Sequence, residues 1–269
     1  MRFWQTLFFA AFAALTLDFP VSDTDIWWHL AAGRWIVDHG AIPRVDPFCR
    51  SSLGVPWTDL HWGFQLVAWK IWNAMGNPGL ILFRGLAATA AFAIALRWNF
   101  KWRSMLVACL GLWISREFLD VRPLLVTLLV LAVVQTSLDR PGPPKPWALG
   151  LACAGQLFLV NTQGLFLLGP LLVLGLAIGR AIERRRSDAL VLAATATAMA
   201  ALSLVNPWGS QAFELAGRVA SRIVPRTENV FSWEISENAP LWIWIRDDAT
   251  HLVALLWMAV GAILSFRRG

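Results

Sequence analysis

Long apolar runs separated by short polar connections dominate the chain. A transmembrane helix needs about 20 mostly apolar residues, and eight runs approach or reach that length. The connections between them are rich in charged residues, Pro and Gly, which are typical of loops. The pattern therefore predicts an all-α, polytopic membrane fold with about eight transmembrane helices. The predicted spans are residues 3–20, 78–96, 104–119, 121–137, 146–161, 163–180, 189–205 and 249–266.

Two further segments are helical in pattern but too polar to be predicted as spans. Residues 25–39 follow a helical repeat, with Asp25 placed to cap the N-terminus and Gly40 placed to end the helix. Residues 61–75 are apolar but carry polar side chains on a helical repeat, which is typical of an interfacial helix. Both segments belong to a long first loop, residues 21–77, for which we expect two surface helices.

Composition excludes an ordinary soluble core. The sequence is 57% hydrophobic and 15% charged, whereas soluble domains carry roughly 25% charged residues. The net charge of +6 is scattered between apolar runs and forms no single basic face, so a nucleic-acid partner is not expected. Cys49, Cys109 and Cys153 lie in different segments without metal-site or disulfide spacing, and we interpret them as packing residues. A single membrane domain, residues 1–269, is the simplest organisation.

Basic residues indicate an orientation. With a cytoplasmic N-terminus, every short Lys/Arg cluster falls on the cytoplasmic side, as the positive-inside rule expects. Both termini are then cytoplasmic, the first apolar run is an uncleaved helix, and residues 21–77 and 206–248 form two long extracytoplasmic loops. The clusters are Arg97, Lys101 and Arg103, then Arg140 and Lys145, then Arg180, Arg184, Arg185 and Arg186, and finally Arg267 and Arg268.

The first long loop carries the most specific motif. From Asp25 to Phe48 the chain reads D-x-WWHLA-x-GRWI-x-x-HG-x-IP-x-x-DPF, and the next span contains Arg84. This order of elements resembles the N-terminal module of GT-C glycosyltransferases, membrane enzymes that use polyprenyl-phosphate sugars. The group includes protein O-mannosyltransferases and lipid A aminoarabinose transferases. A weaker resemblance continues through residues 118–125, through Asn161-Thr162-Gln163-Gly164 and through Asn206-Pro207-Trp208-Gly209.

The resemblance implies sugar transfer from a polyprenyl-phosphate donor to a lipid, glycan or protein acceptor. It places the reaction on the extracytoplasmic face of the bacterial inner membrane, with Asp25 as the base that takes a proton from the acceptor. Asp120 is a second catalytic candidate, which would orient the acceptor or assist the base. A guanidinium suits a phosphate leaving group, so Arg84 and Arg122 are candidate phosphate ligands. The alternative role for Arg84 is to snorkel toward the lipid headgroups.

Other polar residues of the first loop are candidate substrate contacts, namely Asp23, His29, Arg34 and His61. The two histidines would otherwise be polar tips beside packed tryptophans. The Asp23-x-Asp25 pair could instead bind Mg²⁺ or Mn²⁺, since both ions prefer oxygen ligands. No cofactor is certain.

Two other function classes stay open at this point. An inactive GT-C relative acting as a membrane scaffold or subunit is one, because Gln163 stands where related chains tend to have His. A transporter is the other. It is disfavoured because the predicted spans are nearly without central charges and the polar groups collect at one face.

Overall fold

The computed structural model describes residues 2–98, 101–223, 245–246, 251–256 and 259. Over these residues the chain is helical and forms no β-strand, so the prediction of an all-α fold is confirmed for this part. Residues 224–244 of the second long loop and most of the predicted span 249–266 lie outside the described residues. The helices are α1 (Arg2–Leu17), α2 (Asp25–His39), α3 (Trp62–Ala95), α4 (Trp102–Ile114), α5 (Pro123–Leu138), α6 (Pro146–Val160), α7 (Leu168–Ile182), α8 (Arg186–Leu202) and α9 (Gln211–Ile223), with a 3₁₀ turn at Arg116–Phe118.

Helix α2 ends as its sequence predicts but begins differently. Gly40 adopts a left-handed conformation at φ 61° and donates its amide hydrogen to the Ile36 carbonyl at 2.9 Å, as expected for a glycine that terminates a helix. The prediction that Asp25 caps the N-terminus is wrong. Thr24 occupies the cap position, and the Asp23 carboxylate accepts the Asp25 amide at 3.0 Å. The Asp25 side chain therefore remains exposed and is not used by the cap.

Helix α3 contains both the predicted surface helix and the next predicted span. Its helical dihedral angles are interrupted at Gly76, where φ is 61° and ψ is −149°, two residues before Pro78. That combination of angles is essentially restricted to glycine. The interruption divides α3 into a first segment, residues 62–75, and a second segment, residues 77–95, close to the boundary that the polarity pattern predicts.

Helix lengths bear on the predicted spans. Helices occupy each of the first seven predicted spans, although several are short. Among the described residues, α3 is the one helix long and apolar enough to cross a membrane, with 34 residues and a mean hydropathy of 1.6 over its best window. The apolar helices of 10 to 17 residues are Phe3–Leu17, Trp102–Ile114, Pro123–Leu138, Pro146–Val160 and Leu168–Ile182.

Alanines contribute to several contacts between helices. Ala148 and Ala152 of α6 pack with Ala177 of α7 and Ala196 of α8 in one cluster. In a second cluster, alanines of α1 and α3 pack beside Leu112 of α4. Small side chains let helix backbones approach closely, as in the interfaces between membrane helices.

Many large apolar side chains also point outward. Leu15 is 81% exposed, Ile182 78%, Leu190 71% and Leu86 63%. Large exposed apolar patches are uncommon on soluble proteins. The described part of the chain thus combines an apolar core with many large apolar groups on its outer surface.

The connections between helices collect at the two ends of the bundle. Arg97 pairs with Asp139 at 3.0 Å, and Arg180 donates to the Arg140 carbonyl at 2.9 Å. These contacts join the α3–α4, α5–α6 and α7–α8 connections at one end. Arg122, at the start of the 16-residue helix α5, lies about 24 Å from the end of that helix. The first loop and the remaining connections meet at that second end.

Candidate functional site

A buried ion pair between Arg84 and Asp120 organises the second end of the bundle. Arg84 Nη1 donates to Asp120 Oδ1 at 2.9 Å, and the Arg84 side chain is fully buried. Arg84 Nη2 donates to the carbonyl oxygens of Leu17, at 2.7 Å, and Phe19. The pair therefore fixes the end of α1 against the second segment of α3.

Backbone groups complete the surroundings of Asp120. The amide and hydroxyl of Ser22 each donate to Asp120 Oδ2 at 3.0 Å, and the Asp23 amide donates to the same atom at 2.9 Å. The Val121 amide donates to Oδ1 at 2.7 Å. Burial alone would raise the pKa of this carboxyl, but the hydrogen bonds from Val121, Ser22 and Asp23 outweigh burial and hold the pKa below its usual value.

These contacts bear on two predicted roles. Asp120 is predicted to be catalytic and Arg84 to bind phosphate, yet the hydrogen-bonding groups of both side chains face mainly the protein itself. Arg84 Nε is the exception, being buried without a hydrogen-bond partner. The geometry favours a positioning function, in which the pair fixes the start of α2, and both substrate roles remain predictions.

Asp23 and Arg122 form a second ion pair, beside Asp25. Arg122 Nε donates to Asp23 Oδ2, and Asp23 Oδ1 accepts the Asp25 amide. The Arg122 side chain is 34% exposed, and Asp25 is exposed. The structure thus brings three of the predicted site residues to one partly open position, where a carboxylate and a guanidinium face solvent.

The possible divalent-cation site is not favoured by this arrangement. Both carboxylate oxygens of Asp23 already accept hydrogen bonds, one of them from a cation, Arg122. No group of three or more His, Cys, Asp or Glu side chains suited to a metal occurs among the residues that the structure describes. Bound Mg²⁺ or Mn²⁺ would have to displace Arg122 from Asp23.

His29 and His61 lie together although they are 32 residues apart in the sequence. Their ring centroids are 5.5 Å apart, and His29 is 3% exposed. His61 Nε2 is 3.2 Å from Gln163 Oε1, and Asp59 Oδ1 accepts the His61 amide at 3.0 Å. We call His29, Asp59, His61 and Gln163 the histidine cluster.

Burial keeps His29 neutral. Together with smaller electrostatic contributions from His61 and Arg122, burial lowers the pKa of the His29 imidazole from 6.5 to about 3. Val121, next to Arg122, packs with Ile26 and Leu30 of α2, so the turn that carries Arg122 lies against the helix that carries His29. A neutral imidazole has one N–H donor and one acceptor nitrogen, so His29 is suited to hydroxyl groups.

The turn after α6 holds the histidine cluster in place. The Asn161 carbonyl accepts the Gly63 amide at 2.9 Å, and Asn161 Oδ1 accepts Trp62 Nε1 at 3.2 Å. Sequence reasoning did not select Asp59 or Gln163 as site residues. The available signals were the position of Asp59 two residues before His61 and the resemblance at Asn161-Thr162-Gln163-Gly164, although neither predicts that the two segments meet.

Arg34 is the predicted site residue that the structure places elsewhere. It pairs with Asp38 at 3.4 Å and lies over the Trp69 ring, 5.9 Å from its centroid. Arg34 and Asp38 line a groove of about 390 Å³ together with tryptophans of α2 and α3. Arg34 follows His29 by five residues, so the two side chains point to different faces of α2.

The second end of the bundle therefore combines an exposed carboxylate, a partly exposed guanidinium and the histidine cluster. A carboxylate accepts protons, a guanidinium binds phosphate oxygens, and imidazole and carboxamide groups bind hydroxyls.

In comparisons with known proteins, no family model, no curated protein and no solved structure matches this chain.

Proposed function

We propose that the chain is a membrane glycosyltransferase of the GT-C type, which transfers a sugar from a polyprenyl-phosphate donor to an envelope acceptor. One observation carries the proposal. Asp25 is exposed, and its amide donates to the Asp23 carboxylate, which pairs with Arg122 and so joins the first loop to the turn before α5. In the proposal, Asp25 is the proton acceptor and Arg122 the phosphate ligand of this partly open site.

The proposal includes a polytopic arrangement of about eight spans in the bacterial inner membrane. The outward-facing apolar side chains, among them Leu15 and Ile182, support it because lipid is the surrounding that makes such exposure favourable. The two sets of connections support the orientation. The end that contains Arg97, Arg140 and Arg180 would face the cytoplasm, and the end that contains Asp25 would face outward.

In the proposed reaction, an acceptor hydroxyl attacks the anomeric carbon of the donor sugar. Asp25 takes the hydroxyl proton as the new carbon–oxygen bond forms. The bond from the anomeric carbon to the phosphate oxygen breaks, and its electron pair leaves with the polyprenyl phosphate. Arg122 stabilises the negative charge that develops there, since a guanidinium offers paired N–H donors.

Asp120 and Arg84 support this site indirectly in the proposal. Asp120 receives hydrogen bonds from the two residues that precede Thr24, so it sets the position at which α2 begins. An error of about 1 Å in a catalytic group can lower a rate by about 100-fold. The buried pair would therefore act by placing Asp25 and Arg122.

The test measures transfer by purified protein in detergent with a panel of polyprenyl-phosphate sugars, followed by mass spectrometry. We expect Asp25→Asn to lower turnover by about 10³-fold, within the usual range for loss of a general base. Asp38→Asn is the matched control, because Asp38 is also an exposed carboxylate of α2 but lies near Arg34. That variant should retain wild-type turnover.

Either of two results would count against the proposal. Full turnover by Asp25→Asn would remove Asp25 from the mechanism. No turnover by well-folded wild-type protein with any donor would favour the other candidate function, a non-catalytic GT-C relative that serves as a membrane scaffold or subunit.

A further inference from the structure

The histidine cluster consists of polar side chains, most of which are almost fully buried. Asp59 is 2% exposed, His29 3% and Gln163 6%. Gln65, one helical turn after His61, is fully buried. Its backbone carbonyl contacts Gly33, which lies one turn after His29 on α2. The polar side chains thus continue inward along the contact between α2 and the first segment of α3.

Several polar atoms of this region make no hydrogen bond within the protein. They are His29 Nδ1, Asp59 Oδ2, and both Nε2 and Oε1 of Gln65. A buried polar atom without a partner costs about 1–3 kcal/mol, so such atoms rarely occur together without a ligand or water to satisfy them. The set contains both acceptors and donors, on α2, on the first segment of α3 and on the connection just before it, and a hydroxyl group can satisfy either kind.

Aromatic rings form the outer rim of the cluster. The Trp28 centroid is 3.8 Å from that of His29, 6.1 Å from that of His61 and 6.0 Å from that of Trp57. Trp28 and Trp57 are half-buried, and the His61 side chain is 28% exposed. The outer edge of the cluster therefore reaches the surface at His61, beside two indole rings, whose faces suit the C–H face of a sugar ring.

We propose that the histidine cluster, with Gln65 and Trp28, is a recognition subsite for the hydroxyl groups of a neutral sugar. The subsite rests on the proposed function and adds the group that is recognised. Imidazole, carboxamide and carboxylate groups bind the hydroxyls, and the indole packs on the apolar face of the ring.

The position of the subsite relative to Asp25 supports its assignment to the transferred sugar. Asp25 precedes His29 by four residues, so both side chains lie on one face of α2. Arg122 follows Val121, which packs against Ile26 and Leu30 on the same helix as His29. A sugar held at His29 and His61 would have the base on one side and the phosphate ligand nearby.

The test measures binding, so that it does not depend on turnover. Asp25→Asn protein in lipid nanodiscs is offered polyprenyl phosphates carrying glucose, galactose or mannose, and the same polyprenyl phosphate without a sugar. Native mass spectrometry then gives the ratio of the two affinities. We expect at least one sugar-bearing lipid to bind about tenfold more tightly than the bare lipid phosphate.

Variants locate the source of that preference. Gln163→Leu and His61→Phe should each abolish most of the tenfold preference while leaving affinity for the bare lipid phosphate unchanged. Gln163→Asn is a milder change that retains the amide, and it should reduce the preference less. His39→Phe is the control, since His39 stacks on Trp35 outside the cluster and should leave the ratio unaltered.

The outcomes separate this inference from the proposed function. A wild-type preference ratio in both Gln163→Leu and His61→Phe, or no preference for any of the three sugars before mutation, would overturn the subsite. Loss of the preference in folded variants, combined with no sugar transfer by wild type, would support the subsite and refute the enzyme.

Discussion

Asp120 and Arg84 form an ion pair of 2.9 Å in which the Arg84 side chain is fully buried. The same carboxylate accepts hydrogen bonds from the backbone of Ser22 and Asp23, so one side chain joins α3, the α1–α2 connection and the start of α5. Removing one partner of a buried pair leaves the other charge uncompensated. The stability of the protein and the geometry of the candidate site therefore both depend on this ion pair.

Asp120→Asn should destabilise the protein strongly. The substitution leaves the Arg84 charge buried without its carboxylate, and an amide nitrogen in place of Oδ2 would face the Ser22 and Asp23 donors. We expect the free energy of unfolding to fall by about 3–5 kcal/mol, as is typical when one member of a buried pair is removed. Denaturation in mixed detergent micelles measures the change.

Asp139→Asn is the matched control. Asp139 also pairs with an arginine at 3.0 Å, Arg97, but both side chains are about half exposed. Exposed pairs contribute about 0–1 kcal/mol, so this variant should unfold nearly as wild type does. Equal stability of Asp120→Asn and Asp139→Asn would show that the buried pair is not a structural element.

Much of the fold follows from local sequence patterns. Apolar periodicity placed the helices at most of the predicted spans, and Gly40 marked the end of α2 because a left-handed residue commonly terminates a helix. The N-terminus of α2 was harder to predict. Asp25 is a good capping residue, but Thr24 occupies the cap position, and the Asp23 carboxylate accepts the Asp25 amide while it pairs with Arg122, 99 residues away.

The contact between α2 and α3 depends on Gly33. A Cβ atom at this position would lie 2.1 Å from the Gln65 carbonyl oxygen and 2.7 Å from Trp69 Cβ. Gly33→Ala should therefore push α2 away from α3 and lower the free energy of unfolding by about 1–3 kcal/mol, as overpacking usually does. Hydrogen exchange of the α2 amides, measured together with denaturation, should show faster exchange in the variant.

Gly85→Ala is the control for Gly33→Ala. Gly85 also lies within a helix, but a Cβ atom there meets nothing within 4 Å. Alanine favours helix over glycine by up to about 1 kcal/mol, so this variant should be as stable as wild type or slightly more stable. Exchange rates in α2 that are the same for Gly33→Ala and Gly85→Ala would refute the close packing of α2 on Gln65.

The interruption in α3 gives a further prediction. Gly76 combines φ 61° with ψ −149°, and a residue with a Cβ atom adopts those angles at a cost of about 1–3 kcal/mol. Gly76→Ala should lower stability by that amount, whereas Gly175→Ala, where a Cβ atom meets nothing within 4 Å, should not. Identical unfolding curves for the two variants would mean that the first and second segments of α3 form one regular helix.

The candidate site was predictable in part. Asp25 and His29 belong to a motif that is continuous in the sequence, and Asp23 and His61 lie outside that motif in the same first loop. Their partners were not predictable, because the pairs Asp23–Arg122 and His61–Gln163 are set by how helices pack and not by any local pattern. Arg34 also belongs to the motif, but its position on α2 directs its side chain to another face of the helix, away from the histidine cluster.

The pH dependence of stability tests the burial of His29. Its folded-state pKa is about 3, against 6.5 for an ordinary histidine. Between these values the folded protein keeps His29 neutral while the unfolded chain binds a proton, so the contribution to stability is complete above pH 6.5 and declines as the pH falls. The decline is at most about 1.4 kcal/mol per pH unit, or about 2 kcal/mol between pH 6.5 and pH 5.

Replacement of His29 isolates this effect. His29→Gln keeps a polar side chain but does not titrate, so its free energy of unfolding should vary less between pH 6.5 and pH 5 than that of wild type, by about 2 kcal/mol. His39→Gln should keep the wild-type dependence, because His39 is exposed. Asp120 does not interfere, since its lowered pKa places its own contribution below pH 3.8. If His29→Gln and wild type lose stability in parallel, burial does not lower the pKa of His29 in the folded protein.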